Sequence, residues 1–213
     1  MLWPYAVRIV VCDPTMGNVR SVVRAVERSA SKSATVVVTR AASDVASADL
    51  LVVPGQGAFG SFARAVASTG IGDAIVAHVE RGRPYLGICL GMQVLFESSE
   101  EAPGARGLGI LGGHVKKLAP GVDPTTQAPF ALPHIGWNAV VTPHDEKSAP
   151  PRFFYFAHSF AVVPSEPSVA TGVTEYGAAR FVSSVAKDRI SGVQFHPEKS
   201  QREGLALLAS ILS

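Results

Sequence analysis

Along the N-terminal half of the chain, short runs of β-branched residues alternate with stretches whose apolar side chains recur every three to four positions. The runs at 7–11, 35–39 and 50–53 read as strands. Between the first two, Val19, Val22, Val23, Val26 and Ala30 fall on one face of a helix starting near Asn18. Helices are expected at 61–67 and 73–81, with Asp73 well placed at the positive end of the second. A further strand then runs into Cys89. This alternation predicts helices covering a mostly parallel sheet. Past that point the pattern changes: 114–118, 137–141, 153–158, 169–174, 180–186 and 190–195 read as strands with no helices between them, so antiparallel pairing is expected. A closing helix from about Gln201 carries Leu205, Leu208 and Leu212 on one face. The proline-rich pieces at 120–133 and 143–151 read as surface loops, and there is no internal repeat. The expected fold class is α/β, a mostly parallel central sheet with an additional antiparallel sheet in the C-terminal half, forming one domain over residues 1–213.

Composition narrows the chemistry. A chain of 213 residues buries roughly 70% of its unfolded surface without disulfide staples. Its cysteines are Cys12, at the end of an apolar run where a buried thiol is the plain reading, and Cys89; a reducing cytoplasm is expected. The apolar start is broken by Pro4 and Arg8 and lacks a basic lead, so it is not read as a signal peptide, and no segment is long enough to span a membrane. A net charge of +2 from interspersed residues gives no electrostatic footprint for nucleic acid. The spacing of His114, His134, His144 and His158 matches no zinc signature, so neither a metal nor a cofactor is expected.

The chemistry concentrates in three segments. Pro84-Tyr85-Leu86-Gly87-Ile88-Cys89-Leu90-Gly91-Met92-Gln93 runs an apolar strand through a cysteine flanked by glycines into a helix, an elbow that leaves the thiol at a sharp turn. Free N–H groups and the helix dipole there favour a thiolate. Gly192-Val193-Gln194-Phe195-His196-Pro197-Glu198-Lys199-Ser200 supplies a histidine and a carboxylate. If that segment is extended, His196 and Glu198 share a face, so Glu198 orients one ring nitrogen while the other meets Cys89. In Val52-Val53-Pro54-Gly55-Gln56-Gly57-Ala58-Phe59-Gly60, backbone N–H groups of Gln56 or Gly57 would join that of Leu90 in an oxyanion hole. The loop lacks the Lys-Ser/Thr ending of a P-loop. Gln93, one helical turn past Cys89, is placed to hydrogen-bond substrate.

These segments resemble those of class I glutamine amidotransferases, which hydrolyse glutamine through a Cys-His-Glu triad. Asp13-Pro14-Thr15-Met16-Gly17-Asn18, Pro133-His134-Ile135-Gly136-Trp137-Asn138, Tyr155-Phe156-Ala157-His158-Ser159-Phe160 and Lys199-Ser200 narrow the resemblance to the glutaminase subunits of imidazole glycerol phosphate synthases, over nearly the whole chain. The resemblance implies Cys89, His196 and Glu198 as the triad, with Gln93 and backbone groups at Ser159 and Phe160 holding L-glutamine. It also implies a heterodimer with the cyclase subunit, a (β/α)₈ protein that uses ammonia to make imidazole glycerol phosphate in histidine biosynthesis. Asn18, Trp137, Asn138 and Lys199 would face that partner. Three departures from the family pattern stand out: Pro14-Thr15 in place of Tyr-Gly, Gln56 in place of valine and Phe160 in place of tyrosine. The alternatives are a glutaminase subunit of another ammonia-using synthase, such as pyridoxal phosphate synthase, an idle glutaminase-like interaction module and, more remotely, a cysteine protease.

Overall fold

The computed structural model describes residues 7–14, 19–143 and 150–213, so Asn18, the motif residues Thr15, Met16 and Gly17, and His144 lie outside the described residues. The elements run β1 Arg8–Cys12, α1 Arg20–Ser29, β2 Thr35–Thr39, α2 Ala42–Ser47, β3 Leu50–Gly55, α3 Phe59–Ser68, α4 Ile71–Glu80, β4 Tyr85–Cys89 and α5 Leu90–Gln93. They continue with β5 Ser98–Ser99, β6 Gly113–Lys117, β7 His134–Val140, β8 Arg152–His158, β9 Phe160–Pro164, β10 Ala170–Tyr176, β11 Ala179–Lys187, β12 Ile190–Val193 and α6 Gln201–Leu212. Among the described residues the main sheet has the order β2-β1-β3-β4-β12-β11-β9-β6-β5, with β10 on β11, and β7 pairs β8 in a separate two-stranded sheet.

Strands β2, β1, β3, β4 and β12 are all parallel. The expected antiparallel strands take two forms: β11, β9 and β10 extend the main sheet, while β7 and β8 form a separate two-stranded ribbon bridged to β10 at Val141 and Val173. Alternation along the inner parallel strands β1, β3 and β4 explains why they are buried on both faces, while β2 is an edge strand. Val10, Leu51, Val53 and Tyr85 point to the layer that holds Phe59, Phe62, Ile71 and Ile75 of α3 and α4. Their neighbours Ile9, Val11, Leu50, Val52 and Leu86 point to Val22 and Val26 of α1 and Leu208 and Leu212 of α6. Burying each such side chain stabilises by roughly 1.5–3 kcal/mol, and two covered faces are what parallel strands require.

The structure corrects several element boundaries. Strand β9 follows β8 after Ser159 alone, and α2 and β5 arise where no regular element was expected. The helix after Cys89 is a single turn, and Glu97, beyond its end, accepts a hydrogen bond from the Gly113 backbone N–H at 3.2 Å. No helix among the described residues is long and apolar enough to cross a membrane.

Candidate active site

Strands β3, β4 and β12 end level with one another: Gly55 pairs with Cys89 on one side of β4, and Val193 pairs with Ile88 on the other. Loops leaving the carboxyl ends of parallel strands are where such sheets bind ligands. Cys89 turns from β4 into α5 at φ 55° and ψ −109°, a conformation that non-glycine residues rarely adopt and that costs about 1–3 kcal/mol. Neighbouring glycines permit the turn: a Cβ on Gly91 would overlap the Val53 carbonyl oxygen, and one on Gly87 would overlap that of Gly91. The buried Tyr85 hydroxyl donates to the Gly91 carbonyl at 2.7 Å, tying the turn back to its own strand. Because α5 is one turn long, any stabilisation of an anion at Cys89 comes from local donors more than from an extended helix dipole.

Just beyond β12, the His196 backbone N–H donates to the Tyr155 carbonyl at 2.8 Å. Ser200 clamps the same junction, its hydroxyl donating to the His196 carbonyl at 2.6 Å and accepting from the Tyr155 N–H at 2.9 Å. Pro197–Lys199 is a 3₁₀ turn, so the extended geometry expected for this segment does not hold. The turn nonetheless brings Glu198 Oε1 to 2.8 Å from His196 Nδ1, with side chains 2% and 4% exposed. A carboxylate only accepts, so Nδ1 carries the proton. Burial alone would lower the His196 pKa, but hydrogen bonds to Cys89 and Glu198 outweigh it and raise it to about 9. At neutral pH the ring is therefore protonated, an imidazolium held between Glu198 and Cys89.

Cys89 and His196 line a cavity of about 330 Å³ together with Gln56, Gly57 and Leu90, the candidate oxyanion positions. Gly57 takes φ 93°, a backbone state that favours glycine. Gln93, Ser159 and Phe160 line it too, as do Ala157, His158, Pro133, Glu101 and Lys199. Gln93 is buried, and its amide N–H group donates to the Phe160 carbonyl and to Gln194 Oε1, both at 3.0 Å, so its donors serve the protein itself. The Phe160 carbonyl also accepts from His158 Nδ1 at 2.9 Å, so it too is taken up within the protein.

Three residues of this site were not singled out for it by the sequence. Gln194, fully buried, places Nε2 3.5 Å from the Cys89 sulfur. Glu101 faces the cavity while its Oε2 accepts the first N–H of α3 at 2.7 Å. His158 stands in its wall. Gln194 and His158 carried an advance signal, since each shares a motif with expected site residues, His196 and Ser159–Phe160; Glu101 carried none.

Residues expected at a partner surface divide. Trp137 is 48% exposed on β7, beside Ile135, and packs edge-on against Tyr155 of β8. Lys199 holds its ammonium 5.8 Å from the Tyr155 ring centroid. The Asn138 amide instead binds the Glu175 carbonyl at 2.8 Å and so ties β7 to β10. Ala157, opposite Ile135, belongs to the cavity wall, so the exposed apolar face of the ribbon begins at the cavity mouth.

Comparison with known proteins matches residues 10–211 to the family model described as glutamine amidotransferase class-I. The protein named imidazole glycerol phosphate synthase subunit HisH of Aquifex aeolicus is 44% identical over 205 residues, covering 94% of each chain. The subunit of that name from Pyrococcus furiosus is 41% identical, over 94% of this chain and 96% of its own. Among solved structures, a glutamine amidotransferase superposes with a TM-score of 0.71 at 18% identity, covering 95% of this chain and 98% of its own. PurLQS from Thermotoga maritima superposes with a TM-score of 0.66 at 19% identity, covering 96% and 98%. At these identities the two structures establish the fold alone.

Proposed function

The chain belongs to the class I glutamine amidotransferases and, within them, to the HisH subunits of imidazole glycerol phosphate synthase, and from that premise we propose that Cys89, His196 and Glu198 hydrolyse L-glutamine and pass the ammonia to a cyclase subunit. The observation that carries this reading is Cys89 and His196 lining one cavity, with Glu198 2.8 Å from the far ring nitrogen of His196 and the His196 pKa raised to about 9 by both acids. The Cys89 thiolate attacks the carboxamide carbon, and N–H groups of Leu90 and of Gln56 or Gly57 receive the oxyanion. His196 gives its proton to the departing nitrogen, leaving a glutamyl thioester. It then takes a proton from water, whose oxygen attacks the thioester and releases glutamate. Glu198 keeps the imidazole oriented throughout. Glu101 complements the substrate's ammonium group, and backbone groups of Ser159 and Phe160 complement its carboxylate end.

Ammonia is mostly protonated near neutral pH and loses its nucleophilicity, so a protected handover to a partner is needed. The apolar face of β7 and β8 that starts at the cavity mouth, with Trp137 and Lys199, supports a docking surface there. Unpaired thiols at Cys12 and Cys89 suit a reducing cytoplasm. The test is a complex of this chain with a cyclase subunit, supplied with its phosphoribulosyl carboxamide substrate and ¹⁵N-amide glutamine. The label is expected in the imidazole product. Glutamine left intact under those conditions would overturn the reading.

A further inference from the structure

We propose that Gln194 is a catalytic hydrogen-bond donor to the nucleophile: its side-chain NH₂ group holds the Cys89 sulfur, and a relay through Gln93 to the Phe160 carbonyl locks that amide in the donating orientation. This rests on the reading of Cys89 as the nucleophile of glutamine hydrolysis. Strand β12 lies beside β4 with Val193 opposite Ile88, so the next residue of each chain, Gln194 and Cys89, is brought alongside. The Gln194 backbone is anchored from its other side by its N–H donating to the Ser183 carbonyl at 2.9 Å.

An amide presents two ends of nearly equal size, and only one of them helps a thiolate. The NH₂ end stabilises the anion; the carbonyl end would repel it. The choice is made remotely. A backbone carbonyl only accepts, so Gln93 must turn its NH₂ towards Phe160, and the same NH₂ then donates to Gln194 Oε1. Gln194 is left with its NH₂ facing sulfur at 3.5 Å. His158 Nδ1 is a second donor to the Phe160 carbonyl and reinforces that carbonyl as the fixed end of the relay. The orientation has a cost: Gln93 Oε1 is buried without a hydrogen-bond partner, so the relay is not the arrangement that best satisfies Gln93 itself. With His196 as the cationic partner and Gln194 as a neutral donor, the sulfur is held while anionic, both before attack and when it leaves the thioester. Gln93 then acts as a positioning residue through Gln194.

The test compares wild type, Gln194→Met, which keeps length without a donor, and Gln194→Glu, which keeps shape and turns an acceptor to the sulfur. The rate of Cys89 alkylation by iodoacetamide is followed against pH by mass spectrometry, alongside glutamine hydrolysis in the cyclase complex. In Gln194→Met the alkylation midpoint should rise by about one pH unit and kcat should fall about tenfold, the size of one hydrogen bond to a charged group. Gln194→Glu should move the midpoint further in the same direction. Midpoints unchanged in both variants would overturn the proposal even if hydrolysis fell, because lost packing lowers activity without moving a titration. Wild type alone provides a second readout: the Gln194 side-chain amide protons should shift with the alkylation midpoint in NMR, and protons that stay unmoved through that range would also overturn it. Retention of hydrolysis by Cys89→Ala would sink the nucleophile assignment itself, a result separable from either of these.

Discussion

His196 and His158 line the same cavity from neighbouring elements, and both are nearly inaccessible to solvent, yet they titrate in opposite directions. Burial disfavours the charged ring in both cases. At His158 it prevails: the pKa is lowered to about 3, against the opposing pull of the Phe160 carbonyl and with the nearby His134 and His196 rings pushing it down further. At His196 the same penalty is overcome by Cys89 and Glu198, and the pKa rises to about 9. Burial is thus common to both histidines, and the acidic partners supplied at the ends of β4 and β12 set the difference. One ring is equipped to store and release a proton; the other is a neutral wall whose Nδ1–H fixes a carbonyl.

The sharpest way to break the contrast is to take away its cause. Cys89→Ala should reduce glutamine hydrolysis by on the order of 10⁴-fold or more, measured as glutamate release in the cyclase complex. It should also make His196 behave more like His158, with the imidazole midpoint seen by NMR falling from about 9. A midpoint that stays put would mean that Glu198 alone sustains the shift.

Glu198→Gln addresses the other partner and should lower kcat on the order of 10²- to 10⁴-fold by loosening ring orientation and tautomer. Its stability signature has a definite sign. A folded pKa of about 9 against an ordinary value of 6.5 gives a stabilisation that is complete below pH 6.5 and is lost as pH rises through about 9. Weakening the pair should shrink that alkaline loss, which thermal melts at pH 6 and pH 9.5 would reveal.

The two regions also differ in how much of them the sequence disclosed. The parallel strands were legible because burial on both faces demands unbroken β-branched runs, and the elbow because Gly87 and Gly91 have no purpose in an ordinary strand. The proximity of His196 and Glu198 was anticipated for a reason that the structure replaces: Pro197 fits the first position of a 3₁₀ turn as well as an extended chain. Strand β9 was missed because it follows β8 after one residue, which left no turn signal to mark it. Gln194 and Glu101 join the site through contacts remote in sequence, and no periodicity reports which glutamine or glutamate faces a cavity.

Beyond its inner wall the ribbon has an outer face, and Trp137→Ala tests whether that face serves binding and not chemistry. Trp137 is half-exposed and stands against Tyr155, whose ring also faces Lys199. An aromatic anchor lost from an interface centre costs about 2 kcal/mol, so the cyclase should bind roughly 30-fold more weakly in titration calorimetry. The Cys89 alkylation profile should stay as in wild type. A profile that moved with Trp137 would join the outer face to the titrating pair and blur the division drawn between the two regions.

The smallest effect concerns the neutral side of the contrast. His134 sits opposite His158 across the ribbon, its ring stacked on Tyr176 at 4.1 Å and on Phe156 at 5.0 Å, and burial lowers its pKa to about 4. The folded protein therefore keeps this ring neutral where the unfolded chain takes up a proton. Stability from this source is complete above pH 6.5 and is lost as pH falls towards 4. His134→Phe keeps the stacked shape and removes the titration; Asn138 gives up its 3.3 Å contact with Nε2 but keeps the Glu175 carbonyl. The drop in Tm between pH 7 and pH 5 should narrow by about 4–8 °C, the effect of roughly 2 kcal/mol in a chain of this size. An undiminished drop would place the acid sensitivity outside His134, and since His158 titrates lower still, its neutral ring would become the next source to test.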